Sequence, residues 1–194
     1  AWMEGKMTHV VGRNVSGERG CAPDFTGVVH QLQRSADGRD PLVATTGDTV
    51  RLKVRLPAKT VAGGKDPLVV TGRTGAGDFL MVEYLDGQTV RFVLDHWGGG
   101  AMTSGPVKID FARVHELELA LESLAPPPVD RPARQERRGN VRVRVNGAEV
   151  WSERVALYAT EADAVAIGRN PIGGTSCGPE FTGMLLSAER MMRD

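Results

Sequence analysis

The stretch Asp78-Phe79-Leu80-Met81-Val82-Glu83-Tyr84-Leu85-Asp86-Gly87-Gln88-Thr89-Val90-Arg91-Phe92-Val93-Leu94 decides the fold. Leu80, Val82 and Tyr84 fall on one face of an extended chain, and Val90, Phe92 and Leu94 do the same after Asp86-Gly87. Asp-Gly between two period-two runs predicts a β-hairpin, because both central positions of the tightest hairpin turn favour positive φ. The pattern recurs with Val141, Val143 and Val145, then Asn146-Gly147, then Val150. Val50, Leu52, Val54 and Leu56 alternate with Arg51, Lys53 and Arg55, which reads as a half-buried strand. Leu68-Val69-Val70 is a shorter run before Gly72, Gly75 and Gly77 break the chain before Phe79, and 164–167 and 181–186 supply the last strands. Many short strands, regular turns and 24 glycines predict an all-β chain built as an antiparallel two-sheet sandwich.

One segment reads two ways. His115 to Leu124 is rich in good helix formers. Its alternation of His115, Leu117, Leu119 and Leu121 with Glu116, Glu118, Ala120 and Glu122 favours a strand, as do its neighbours. The stretch from Pro126-Pro127-Pro128 to Gly139, with Arg131, Arg134, Arg137 and Arg138, reads as a polar loop outside the sheet.

Lysine plus arginine equals aspartate plus glutamate, at 24 each, so charge gives no case for a nucleic-acid partner or an anionic membrane surface. No apolar run approaches the roughly 20 residues that span a bilayer as a helix. Two cysteines, Cys21 and Cys177, do not make a disulfide scaffold. Each reads as a small buried hydrophobe, or the two as one bridge if the two ends of the chain meet.

The chain also says one thing twice. Gly12-Arg13-Asn14, Gly17, Cys21, Pro23, Asp24 and Phe25-Thr26-Gly27 return as Gly168-Arg169-Asn170, Gly173, Cys177, Pro179, Glu180 and Phe181-Thr182-Gly183. Gly168 against Gly12 sets an offset of 156 positions, held without a gap to Arg34 and Arg190. That period is the size of a domain, longer than a solenoid unit. The reading is a tandem repeat: residues 1–36 are the closing part of one module, 37–47 a linker, and 48–194 a complete second module.

With these residues in order, the chain resembles laminin-G-like modules of the concanavalin A-like lectin/glucanase superfamily. The resemblance rests on Leu56-Pro57, Pro67-Leu68-Val69, Asp78-Phe79-Leu80, Val90-Arg91-Phe92 leading into Asp95-His96-Trp97-Gly98, His115 opening a Leu-rich strand, Val145-Asn146-Gly147 before Val150-Trp151, and the closing Ile167-Gly168-Arg169-Asn170 and Phe181-Thr182-Gly183. It covers 48–194, with 9–34 matching its closing segment. It implies a jelly-roll sandwich, an extracellular or envelope-exposed setting, and a recognition or adhesion role.

Four constellations carry chemistry. Asp95-His96-Trp97, before Gly98-Gly99-Gly100, sets a carboxylate, an imidazole and an indole at a strand end, a combination suited to a sugar subsite; the alternative is that Trp97 plugs the sandwich edge. The repeated Gly-Arg-Asn offers the Arg169 fork and the Asn170 amide to a saccharide or partner backbone, or else Asn170 holds the turn before Pro171. The family resemblance implies a Ca²⁺ at the sandwich rim, for which Asp78, Asp95 and Asn170 are the oxygen donors to examine. Finally Glu116, Glu118 and Glu122 would share a strand face, as acidic residues do in laminarinase-type glucanases, which makes a glycoside hydrolase the catalytic alternative. His115, on an apolar face, reads as a satisfied core histidine. The expectation is a noncatalytic module binding carbohydrate or a partner surface, with a ligand-free structural spacer as the other alternative.

Overall fold

The computed structural model describes residues 48–125, 136–161 and 164–191. The first copy of the repeat, the linker 37–47 and the proline- and arginine-bearing stretch 126–135 lie outside the described residues.

Among the described residues the chain is an antiparallel two-sheet sandwich, as its alternation predicts. Strands β1 (Thr49–Arg55), β2 (Lys65–Arg73), β3 (Ala76–Tyr84), β4 (Thr89–His96), β5 (Gly100–Thr103) and β6 (Val107–Lys108) are followed by β7 (Val114–Leu121), a single 3-10 turn (Glu122–Leu124), β8 (Glu136–Val145), β9 (Ala148–Tyr158), β10 (Val165–Ile167) and β11 (Met184–Met191). One sheet runs β11-β1-β7-β8-β9 and the other β10-β2-β3-β4-β5, with β6 also paired to β4. Among the described residues the last strand lies beside the first, Leu52 facing Ala188 and Val50 facing Arg190.

Period two does the work in the first sheet. Val50, Leu52, Val54, Leu117, Leu119, Leu121, Val141, Val143, Val155 and Leu157 are buried against Leu80, Val82, Tyr84, Val90, Phe92 and Leu94 of the second. The opposite face of the first sheet is charged, with Arg51 ion-paired to Glu116 and Glu118. The segment at His115 is a strand, as the alternation favours. The strand stops at Leu121, because the 3-10 turn lets Ser123 and Leu124 stay buried while Glu122 turns aside. His115 is a satisfied core histidine: its Nε2–H donates to the Asp110 carbonyl at 2.6 Å and its Nδ1 accepts from the Asn146 amide at 3.0 Å.

One hairpin turn is as expected, and two details differ. Asn146 (φ 51°) and Gly147 (φ 83°) do form the tight positive-φ hairpin turn. The Asp86-Gly87 hairpin is a wider loop, closed by the Leu85 amide on the Thr89 carbonyl and by the Asp86 carboxylate accepting the Gln88 amide at 2.7 Å. The expected loop ends early, since Arg137, Arg138 and Gly139 already lie in β8 and pair with Leu157, Ala156 and Val155 of β9.

The second sheet is apolar on both faces. Val70, Phe79, Met81, Val93 and Ala166 form a cluster on its outer side, packed by Trp97, Ile172 and Cys177. The covering segment 168–183 runs back across β2, with the Gly168 amide on the Leu68 carbonyl and the Gly178 amide on the Lys65 carbonyl. Cys177 is a free half-buried thiol in that cover, and burial raises its pKa to about 11.

Candidate functional site

Strand parity sorts Asp95, His96 and Trp97. Phe92 and Leu94 point into the core, so His96 does too, while Asp95 and Trp97 take the outer face. His96 is therefore buried, and its Nδ1 lies 2.7 Å from Asp78 Oδ1. Its ring stacks on Tyr158, centroids 4.4 Å apart. Tyr158 ends β9 in the other sheet, and its amide donates to Asp78 Oδ2 at 2.9 Å. One carboxylate thus clasps both sheets, and His96 is a positioning residue, not the surface ligand-binder its neighbours suggest.

The clasp holds Trp97 in place. Tyr158 Oη donates to the Trp97 carbonyl at 3.0 Å, and the Trp97 amide donates to Gly77 at 3.0 Å. The Gly99 amide closes a turn onto the His96 carbonyl at 2.8 Å, with Gly98 at φ 82° in the position that a type II turn reserves for glycine. The glycine run is a defined turn that presents the indole. Trp97 lies half-buried against Phe79, ring centroids 6.1 Å apart and planes 29° from parallel.

Beside it opens a cleft of about 360 Å³ lined by Phe79, Asp95, Trp97, Gly98, Gly173, Gly174, Thr175 and Ser176. Ser176 Oγ donates to Asp95 Oδ2, joining β4 to the closing segment across the cleft. Asn170 shapes the far wall without lining it: its Nδ2 donates to the Gly174 carbonyl at 2.7 Å and its Oδ1 accepts the Gly173 amide at 3.1 Å. Arg169 is exposed, does not line the cleft, and pairs with Glu180 through backbone. Of the five residues expected to bind ligand, Asp95 and Trp97 meet at the cleft, Asn170 and His96 support it, and Arg169 stands apart. Phe79, Ser176 and Tyr158 escape the sequence reading, although the unbroken run Phe79-Leu80-Met81-Val82 signals a strand covered on both faces.

The other candidates do not assemble. Asp78 lies on the inner face and Asp95 on the outer, and the Asn170 oxygen holds its own turn, so the three do not converge on a cation. Among the described residues no group of three acidic, histidine or cysteine side chains could hold a metal. Glu116 and Glu118 sit on the charged sheet face, Glu118 between Arg51 at 3.0 Å and Arg144 at 3.9 Å. Glu122 leaves the strand and accepts from Asn140. Glu122 thus stands apart from Glu116 and Glu118, which the arginines of the sheet face engage. A larger recess of about 710 Å³ opens near the opposite end of β4, around Gln88 and Lys108–Ala112. It offers no aromatic platform, because Phe111 packs edge-on against Tyr84, and its Asp110 carboxylate caps the Ala112 amide.

The clasp makes stability depend on pH. The hydrogen bond to Asp78 raises the His96 pKa above the ordinary 6.5, against the opposing effect of burial, with Glu136 Oε2 3.7 Å from Nε2 adding to the rise. Burial raises the Asp78 carboxyl above the usual carboxylate range, so the folded clasp holds its proton more tightly than the unfolded chain. Stability from His96 is then complete below about pH 6.5 and lost as pH rises through the folded value. Thermal melts should show a lower midpoint at pH 8 than at pH 6, and Asp78→Asn should flatten that slope. An equal slope in the variant would mean that His96 titrates independently of Asp78.

No protein-family model matches the chain, and no curated protein matches it. Among solved structures it is similar to the CBM40 of the Ruminococcus gnavus IT-sialidase bound to alpha2,3 sialyllactose, with 14% identity over 78% of each chain and a TM-score of 0.45.

Proposed function

We propose that residues 48–191 form a noncatalytic recognition module, of the laminin-G-like kind and suited to an extracellular or envelope setting, which holds an uncharged hydroxyl-rich ligand, a neutral glycan, in the cleft beside Trp97. The observation that carries this is an indole fixed by its own amide and carbonyl and backed by Phe79, standing next to the Asp95–Ser176 hydrogen bond. Aromatic faces pack on the apolar C–H surface of sugar rings, while a carboxylate and hydroxyls take the sugar hydroxyls. Asp95 is the sole ionisable residue among those lining the cleft. A carboxylate with no partner cation among the described residues repels an acidic sugar at short range and favours a neutral one.

The test is retention of the intact chain on a panel of neutral, sialylated and uronic-acid polysaccharides, with Ca²⁺ and with EDTA. Binding to neutral glycans alone is expected, unchanged by EDTA. Trp97→Ala should weaken it by about tenfold or more, or roughly 1.4 kcal/mol, with the circular dichroism of the parent. No retention on any glycan would leave a spacer or protein-docking module. Preference for the sialylated set would overturn the charge argument.

A further inference from the structure

The cleft beside Trp97 has two unlike ends. Asp95 and Ser176 stand on opposite walls, and the Ser176 hydroxyl donates to Asp95 Oδ2 across the gap. Among the described residues a bound glycan finds no path behind this crossbar. Val93 and Met81 are each 1% exposed there, and Cys177 packs on the cluster to which they belong. The floor is closed as well: Phe79 is 1% exposed, and the wall passes so near it that a Cβ at Gly174 would overlap Cζ. Ala101, the neighbour of Asp95 on β5, does not line the cleft, so the cleft does not continue sideways along that row.

The other end is bare. Gly98 lines it from one wall and Gly173 from the other, and a Cβ on either would meet no atom within 4 Å. Both hold positive φ, at 82° and 72°, where most side chains are strained. The two turns therefore keep this end free of side chains. The chemistry is divided in the same sense. The closed end carries the carboxylate, and among the described residues Asp95 Oδ1 has no partner, so it can accept a sugar hydroxyl. The bare end offers backbone alone.

A sugar unit inside a glycan needs two exits, one for each glycosidic bond, and has given up a hydroxyl to each. A terminal unit needs one exit and keeps an extra hydroxyl. Resting on the glycan reading of this cleft, we propose that the site recognises the terminal unit of a neutral glycan. Its free hydroxyls meet Asp95 and Ser176 at the closed end, and its one glycosidic bond leaves between Gly98 and Gly173. The volume of about 360 Å³ agrees, since it lies near the lower bound of small-molecule sites, about 300–1,000 Å³. A groove open at both ends would hold several units and gain contacts with each, whereas a one-ended cleft stops gaining once its terminal unit is seated.

The test is displacement of the full chain from an immobilised glucan, mannan and galactan by size-fractionated hydrolysates of the same polysaccharides, at two, four and six sugar units. Per mole of oligomer, the two-unit and six-unit fractions should displace the chain with potencies within about threefold of each other. At equal mass the short fraction should therefore outdo the long one. Trp97→Ala should weaken the response to both sizes alike. A larger rise in molar potency from two units to six would overturn the proposal and leave the glycan reading standing, because it is the signature of a groove that grips the interior of a chain. Undiminished displacement by the six-unit fraction in Trp97→Ala would place the glycan away from this cleft and overturn it too. No retention on any of the three polysaccharides would defeat the glycan reading itself, and the terminal-unit proposal with it.

Discussion

Asp66→Ala is expected to lower stability by about 3–5 kcal/mol and the melting midpoint by on the order of 10 °C. Asp66 is 5% exposed, and its Oδ2 accepts from the Tyr84 hydroxyl at 2.7 Å, the Thr182 amide at 2.9 Å and the Thr182 hydroxyl at 2.6 Å. Burial and this carboxylate push the Tyr84 phenol far above its ordinary range, so the hydroxyl remains a donor at any pH the fold survives. Truncation leaves the buried Tyr84 hydroxyl without its acceptor and unties the Thr182 amide and hydroxyl from the sandwich, and a buried donor left unmade costs more than the bond contributed. Asp66→Asn retains an acceptor oxygen without its charge and should cost about half as much, since charge-assisted bonds are roughly twice as strong as neutral ones. The consequence reaches the cleft, because Asp66 fastens the closing segment whose residues 173–176 form one wall. Hydrogen exchange in Asp66→Ala should rise first across 173–184, with glycan retention lost below the global midpoint. A variant melting within about 2 °C of the parent would show that the closing segment is held by its strand pairing alone.

The alternation of β1, β7 and β8 makes two sheets legible, because one face of each strand is wet and the other is not. β2 to β4 carry a second message in the same letters: Phe79-Leu80-Met81-Val82 and Phe92-Val93-Leu94 do not alternate, so both faces are covered. What covers them is not legible, since the cover comes from residues 169–182, far along the chain. Parity was available at Asp95-His96-Trp97. Once Leu94 points inward, His96 must follow and its neighbours must not, so three adjacent residues cannot share one ligand. Register was not available. Asp78 meets His96 because β3 and β4 align those two positions, and Asp66 meets Thr182 across a separation of 116 residues. Asn146-Gly147 and Asp86-Gly87 read alike and differ in structure. Asn146 is drawn into its turn by His115 and the Glu116 amide, whereas Asp86 accepts from its own loop.

Asp78→Ala is expected to cost a similar 3–5 kcal/mol, roughly what removing one partner from a buried ionic hydrogen-bonded pair costs, and to weaken binding as well. The carboxylate is fully buried, and its loss strands the His96 Nδ1 and the Tyr158 amide in the interior. The stacked His96 and Tyr158 rings then lack their common anchor, and Tyr158 is the residue whose hydroxyl fixes the Trp97 carbonyl. Asp78→Asn separates the two effects. Its amide oxygen can still accept the Tyr158 amide, so Trp97 should stay in place and glycan retention should fall by no more than about threefold, or roughly 0.7 kcal/mol. Tyr158→Phe keeps the ring and the backbone bond but removes the hydroxyl. It should leave the melting midpoint within a few degrees while weakening retention by about threefold to tenfold. If Tyr158→Phe binds like the parent, the carbonyl bond does not orient the indole, and the Gly98 turn alone presents it. If Asp78→Ala keeps both midpoint and retention, the two sheets are joined at this end by apolar packing, and the buried carboxylate is a passenger.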